Sequence, residues 1–350
     1  RAEVLLTFRD ATGTVLDDPM VIELENFQME RMAEIPEGAA SVVVSVSDGS
    51  IGAVALVFDR ESGDFWTVTD WARNAGAAPI QPLRVPFVIS ESELPARRRL
   101  VSRSRSLDSD LRRKGSLQTD LALFNPGVDS IRVRITLYQA AGSTRESIVI
   151  LDAGETRWLR DVVATLRGRS GRSIGYLDVE SLSVDFEAGR GGVAIGGRIW
   201  DDREEGGTRG AGLVAVPTSS GVRLGQSVLL ANLDDSRRET IEERVSGTRR
   251  TSIGVVETAG EPVVVRAKLR MFDGSPLVAT NVSREYAVDS RQILMIDDIA
   301  SSILGPERET LLGDLQDLQL ELRVTEGDGA AVFFVLSTDN ETNDLLLRVD

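Results

Sequence analysis

Apolar and polar residues alternate along most of this chain. Ile131, Val133, Ile135 and Leu137 alternate with Arg132, Arg134, Thr136 and Tyr138. Val263, Val265, Ala267, Leu269 and Met271 alternate with Val264, Arg266, Lys268 and Arg270. Successive side chains of a strand point to opposite faces, so period two predicts strands with one buried and one wet face, the pattern of antiparallel sheets. Turn signals punctuate these runs at Asp10 to Gly13, Ala140 to Gly142, Asp273-Gly274, Asp48-Gly49 and Asp328-Gly329. Many short strands with little helix predict an all-β fold of two-sheet sandwiches.

The pattern occurs three times. Its copies begin at Ala2 to Gly13, Ile131 to Gly142 and Val263 to Ser275. The second and third are preceded by one more short strand, at Leu117 to Gly127 and Thr251 to Gly260, whereas the first begins at Arg1 with none before it. Each copy then continues in one order. A second strand (Val21 to Leu24, Ser147 to Leu151, Glu285 to Val288) leads through a bend and a third strand to a short helical turn. That turn is clearest after Asp161 and Asp297, at N-cap positions.

A closing hairpin follows: Ala39 to Ser47 with Gly52 to Phe58, Tyr176 to Phe186 with Gly192 to Trp200, and Leu318 to Thr325 with Ala330 to Leu336. A last strand ends each copy, at Pro82 to Val88, Gly212 to Val216 and Leu345 to Val349. The reading is three tandem immunoglobulin-like antiparallel β-sandwich domains with a short helical turn in each. Their bounds are 1–90, 115–222 and 251–350, joined by connectors 91–114 and 223–250. Repeats this long have their own cores, unlike solenoid units.

One stretch carries a resemblance. Thr119 to Gly127 ends in Asn125-Pro126-Gly127, an alternating strand ends in Leu137 to Gly142, and Leu151 to Leu166 follows. This resembles β-sandwich modules repeated in bacterial secreted or cell-surface proteins, where an NPG turn and a DAAG turn bracket the first two strands. The resemblance is clearest in the second copy, fair in the third and partial in the first. It implies an extracellular, non-enzymatic unit.

Composition narrows the chemistry. The 350 residues contain no cysteine and no histidine, so thiol chemistry and disulfides are excluded, and the commonest general base and metal ligand are missing. The formal net charge of −15 argues against nucleic acid and anionic membranes as partners. No run of 18 apolar residues predicts a membrane span. Arg1 in place of Met reads as the start of a processed or excised segment.

The first connector carries Arg97, Arg98, Arg99, Arg103, Arg105, Arg112, Arg113 and Lys114 without interleaved aromatics, so it reads as solvated or laid on an acidic surface. In the second, the apolar run Ser227 to Leu233 requires burial and predicts an added strand.

Candidate sites are few. Clustered oxygens at Asp201, Asp202, Asp339, Asn340 and Asp344 are candidates for Ca²⁺, although neither loop has the spacing of an EF-hand. The glycines between Gly189 and Gly197 contain fragments of a dinucleotide fingerprint, but in a hairpin instead of a strand-to-helix turn, so tight turns and close packing are expected. Trp66, Trp71, Trp158 and Trp200 are candidates for sugar stacking or for packing. The sequons at Asn281 and Asn340 are expected to be accessible.

The expected function is non-enzymatic and cofactor-free: an extracellular structural protein, a filament or surface-array subunit joined to copies of itself by β-strand complementation. The missing opening strand predicts a vacant edge at Val4, Leu6 and Phe8, with Val228, Leu230, Leu345, Leu347 and Val349 in the best donor strands. A chain that continues upstream with its own first strand accounts for the same pattern. The alternatives are a carbohydrate- or protein-binding accessory region of a larger secreted protein, and an Asp/Glu-dependent hydrolase.

Overall fold

The computed structural model describes residues 1–26, 28–32, 35–49, 51, 53–58, 65–69, 81–91, 117–168, 171–184, 191–202, 208–235, 249–271, 282–305, 315–339 and 345–349. Within these, it gives the backbone alone at 54–58, 65–69, 202, 208–209, 235, 271 and 315–316. The first repeat holds β1 (Ala2–Arg9), β2 (Met20–Leu24), β3 (Ser41–Asp48), β4 (Val54–Phe58) and β5 (Phe65–Thr69).

The second repeat runs from β6 (Leu83–Ser90) through β7 (Gln118–Phe124), β8 (Ile131–Gln139), β9 (Thr144–Leu151), β10 (Thr156–Leu159) and α1 (Val162–Arg167). It finishes with β11 (Ser173–Ser181), β12 (Ala194–Asp202), β13 (Thr208–Gly212) and β14 (Val216–Pro217). The third comprises β15 (Val222–Arg223), β16 (Ser227–Asp235), β17 (Arg249–Glu257), β18 (Val263–Met271), β19 (Ser283–Val288), β20 (Ile293–Ile296), α2 (Ile299–Leu304), β21 (Leu315–Glu326), β22 (Ala330–Asp339) and β23 (Leu345–Val349).

The fold is all-β, and every ladder is antiparallel. In the second repeat the order β14-β6-β11-β8-β9 faces β10-β7-β12-β13. In the third, β16-β21-β18-β19 faces β15-β22-β17-β20, with β23 on β22. Strand for strand, β6 to β13 correspond to β16 to β23. The first repeat holds β2-β1-β3, the counterpart of β9-β8-β11, and the pair β4-β5, the counterpart of β12-β13.

The alternation places the cores as expected. Ile131, Val133, Ile135 and Leu137 are buried, as are Val263, Val265, Ala267 and Leu269 and, in β1, Ala2, Val4, Leu6 and Phe8. The apolar run Ser227 to Leu233 is the strand β16, laid beside β21 with Val228 opposite Leu322 and Leu230 opposite Leu320.

Several expectations are corrected. The segment at Pro82 to Val88 does not close the first repeat: as β6 it pairs with β11 of the second. The expected closing hairpins are arches, since β11 and β12 lie in facing sheets, as do β21 and β22. Period two reveals which face of a strand is buried and is silent on its neighbour, and both arrangements bury the same residues. The strand before the NPG turn crosses in the same way, so β7 and β8 face each other and do not pair.

The helices are single turns. Asp161 caps α1 and accepts from the Ala164 amide, while α2 is capped by Asp298, one residue after the expected Asp297. Among the described residues of the first repeat no helix occurs.

The junctions between repeats are related to each other. Turn 10–13 seats on turn 152–155, where the Thr156 amide donates to the Ala11 carbonyl at 3.1 Å. Gly154 has φ +70°, and a side chain on Gly13 would lie 2.6 Å from its carbonyl carbon, so two glycines let the turns touch. The counterpart of Gly154 in the third repeat is Arg291, also left-handed at φ 56°. Its carbonyl accepts from the Tyr176 hydroxyl of the second repeat at 3.1 Å.

Candidate functional site

The residues expected to form an open edge do not form one. β1 is the central strand of its sheet, with Val4 opposite both Ile22 of β2 and Val46 of β3. Both of its ladder sides are used. The expectation failed because the NPG strand belongs to the opposite sheet, so lacking it removes no neighbour from β1. The expected donor strands are engaged within the chain: Val228 and Leu230 in the ladder to β21, and Leu345, Leu347 and Val349 in the ladder to β22.

Of the acidic candidates, Asp201 and Asp339 have described side chains, and they lie on two different strands. Asp201 is buried within β12, opposite Arg209, and Asp339 ends β22 opposite Arg249. The Asp202 side chain, Asn340 and Asp344 lie outside the described residues, as do Asn281, Trp71, the side chain of Trp66 and the Arg-rich connector. Among the described residues no group of three acidic side chains could hold a metal ion. Chelation with EDTA is expected to leave the melting temperature unchanged. A fall restored by Ca²⁺ would overturn this, because a ligand specific to the folded state stabilises it by mass action.

The asparagine of the NPG turn is a structural clasp. Buried Asn125 donates through Nδ2 to the carbonyls of Asp129 and Asp152, both at 2.9 Å, and accepts from the Gly127 amide. Its counterpart is buried Glu257, which accepts from the amides of Ala259, Gly260 and Arg291. Both tie the end of one strand to the turn that faces the preceding repeat. The glycine run serves packing: a Cβ on Gly197 would lie 2.3 Å from the Asp120 carbonyl.

Two surfaces remain. The first is a polar cleft of about 660 Å³ between the second and third repeats, walled by Arg134, Tyr138, Glu146, Asp178 and Glu180 and closed by Arg291. Its lining residue Asp178 makes a bidentate pair with buried Arg84 at 2.6 and 2.7 Å, and Arg84 lies over the ring of Tyr176. Burial works against the charge of Arg84, yet the hydrogen bonds and charge of Asp178 prevail and raise its pKa. Tyr138 stacks on Tyr176 at 4.7 Å, and burial raises the pKa of both phenols. None of this network was singled out from the sequence, since its members meet only across strand pairs.

The direction at Tyr176 has a measurable consequence. The unfolded phenol ionises near its ordinary value of 10, while the folded one, buried, stays neutral to higher pH. The stability this contributes is complete below pH 10 and is lost as pH rises through the folded value. Between the two values stability falls by about 1.4 kcal/mol per pH unit for this one group. Melting curves from pH 9 to 11 are expected to be flatter for Tyr176→Phe than for the parent chain. Equal slopes would show that Tyr176 does not control the alkaline limb.

The second surface is the inner face of β3. Val42, Val44 and Val46 lie opposite Phe8, Leu6 and Val4, on the core side of the sheet, yet they are 43%, 36% and 37% exposed. Their counterparts on β11 are Leu177 and Val179, both 0% exposed, and Ser181, 9% exposed. In the filled repeats these positions are covered by β7 or β17 and flanked by β6 or β16. Among the described residues neither strand has a counterpart in the first repeat, and β3 has one ladder partner.

No model of a known protein family matches the chain, and no curated protein sequence matches it. Among the described residues no helix is long and apolar enough to cross a membrane.

Proposed function

We propose that this chain is an extracellular structural protein, a subunit of a filament or surface array, whose first repeat is completed by β-strand addition from another chain. The observation that carries this is the half-covered row Val42, Val44 and Val46, which in both other repeats is replaced by fully or nearly fully buried residues. An apolar sheet face with a free ladder side invites another strand. A contact between unlike surfaces propagates instead of closing. Among the described residues an unpaired ladder side lies along β3, and none lies at Val4, Leu6 and Phe8. The resemblance of Asn125-Pro126-Gly127 and its surroundings to modules of bacterial secreted and cell-surface proteins supports the location.

Sedimentation velocity over a wide concentration range tests the reading. Polymers that grow with concentration and are lost in Val44→Asp are expected. A monomer at every concentration would overturn it. A second reading rests on the polar cleft at the second junction, whose phenol and charges of both signs suit a neutral, hydroxyl-rich glycan. A glycan-array hit lost in Tyr138→Ala would favour it.

A further inference from the structure

The two junctions are one joint built in two ways. Turn 139–142 of the second repeat is the counterpart of turn 10–13, and turn 289–292 of the third is the counterpart of turn 152–155. At the first joint the turns meet so closely that Gly13 has no room for a side chain. At the second, Arg291 stands in place of Gly154, and a Cβ on Gly142 would meet nothing within 4 Å. The polar cleft lies in this gap, with Gly142, Ser143, Ser290 and Arg291 in its wall. The gap is not slack in the joint. Phe87 packs on Phe334 with ring centroids 5.1 Å apart, and Val256, Leu336 and Leu347 are buried in one cluster with the core of the second repeat. The registers place Phe334, opposite Gly254, where the second repeat has Gly196, opposite Ala122.

Arg291 occupies its position at a cost. Its φ of 56° is left-handed, a conformation that glycine adopts freely and a residue with a Cβ does not. Both of its backbone groups are clamped: the amide donates to Glu257 Oε2 at 2.7 Å, and the carbonyl accepts from the Tyr176 hydroxyl. Those bonds need only a backbone, so glycine would keep them. What arginine adds is a guanidinium in the wall of the cleft. Burial raises the pKa of Tyr138, and the charge of Arg291 is near enough to oppose that rise. Backbone strain held at a cavity wall points to a residue kept for its side chain.

The charges of the cleft divide into two kinds. Arg134 is paired with Glu180, and Asp178 with Arg84. Among the described residues, the exposed guanidinium of Arg291 and the exposed carboxylate of Glu146 are in no ion pair or hydrogen bond. An anionic ligand would satisfy Arg291 and be repelled by Glu146, and a cationic ligand would do the reverse. Hydroxyl groups both donate and accept, so a neutral sugar satisfies the two without bringing a net charge. The guanidinium presents its donors in a rigid fork, which two adjacent hydroxyl oxygens can accept together. Gln139, Ser143, Thr144 and Gln292 add uncharged donors and acceptors, which suits a polyol better than a compact zwitterion. The volume of about 660 Å³ lies within the range of about 300–1,000 Å³ for small-molecule sites.

Resting on the glycan reading of this cleft, we infer that Arg291 determines its specificity: the guanidinium donates to a pair of adjacent hydroxyls on a neutral sugar, and Glu146 accepts from a further hydroxyl of the same sugar. The test titrates the full chain over an array of neutral, uronate-bearing and amino-sugar oligosaccharides. Arg291→Gly is expected to weaken binding to the neutral hits by roughly tenfold or more. It is also expected to melt at or above the parent temperature, since glycine relieves the left-handed position. Arg291→Lys is expected to lose most of the affinity too, because a point charge replaces the fork. Full affinity in Arg291→Gly, with the hit still lost in Tyr138→Ala, would overturn the inference and leave the glycan reading standing. Preference for uronate or amino sugars would overturn the assignment of neutral hydroxyls. A lower melting temperature in Arg291→Gly would give Arg291 a structural role and overturn the inference. The absence of any hit would overturn both.

Discussion

Replacing Asp120 by Ala is expected to cost about 1–3 kcal/mol for each buried donor that loses its acceptor. Asp120 is fully buried, and its carboxylate accepts from Arg160 at 2.6 Å, the Trp200 indole at 2.9 Å and the Asp161 amide at 2.9 Å. Asp161 in turn caps α1 and accepts from the Ser90 hydroxyl, so β6, β7, β12 and the helix share one set of hydrogen bonds. Removing the carboxylate takes the acceptor from the buried Trp200 indole N–H and the buried Asp161 amide, while the half-exposed Arg160 guanidinium can turn to water. Calorimetry of the full chain would show the loss as an early transition assigned to the second repeat. A melting temperature within a degree of the parent would mean that water replaces the carboxylate.

Ile135→Asp is expected to unfold the second repeat outright. Ile135 is 1% exposed, packed between Val133 and Leu137 on the inner face of β8. A carboxylate there loses its hydration without gaining a partner, at a cost of several kcal/mol against a total stability of about 5–15. Its exposed neighbour Arg132 offers the control: Arg132→Asp is expected to change stability by less than about 0.5 kcal/mol. Equal sensitivity at the two positions in urea unfolding would show that the faces of β8 are assigned wrongly.

The alternation that predicts these two outcomes made the strands, their buried faces and their turns legible in the sequence. Ile131 to Leu137 and Val263 to Leu269 are buried residue by residue as the pattern requires. Pairing was not legible. A strand such as β12 buries Ile195 and Ile199 whether it lies beside β11 or across the core from it, and the arch that joins them reads like a hairpin. From that ambiguity came the misplaced edge on β1. The apolar face of β6 was visible as well, but its partner β11 stands beyond a long connector, four strands and a helix. The cleft was hidden for a related reason: Arg84 and Asp178 are 94 residues apart and become neighbours only through that pairing.

The place where the third repeat carries Phe334 and the second carries Gly196 makes the order of the modules irreversible. The two share a strand plan, yet each presents a differently shaped upper surface to whatever precedes it. Exchanging them in an engineered concatemer would present the Phe334 ring where the chain now presents Gly196, and would take from Phe87 the ring it packs against. The chain is thus addressed: each module is recognisable by its predecessor, and a gene fusion that shuffles or duplicates one must carry the matching outward strand of its neighbour along with it.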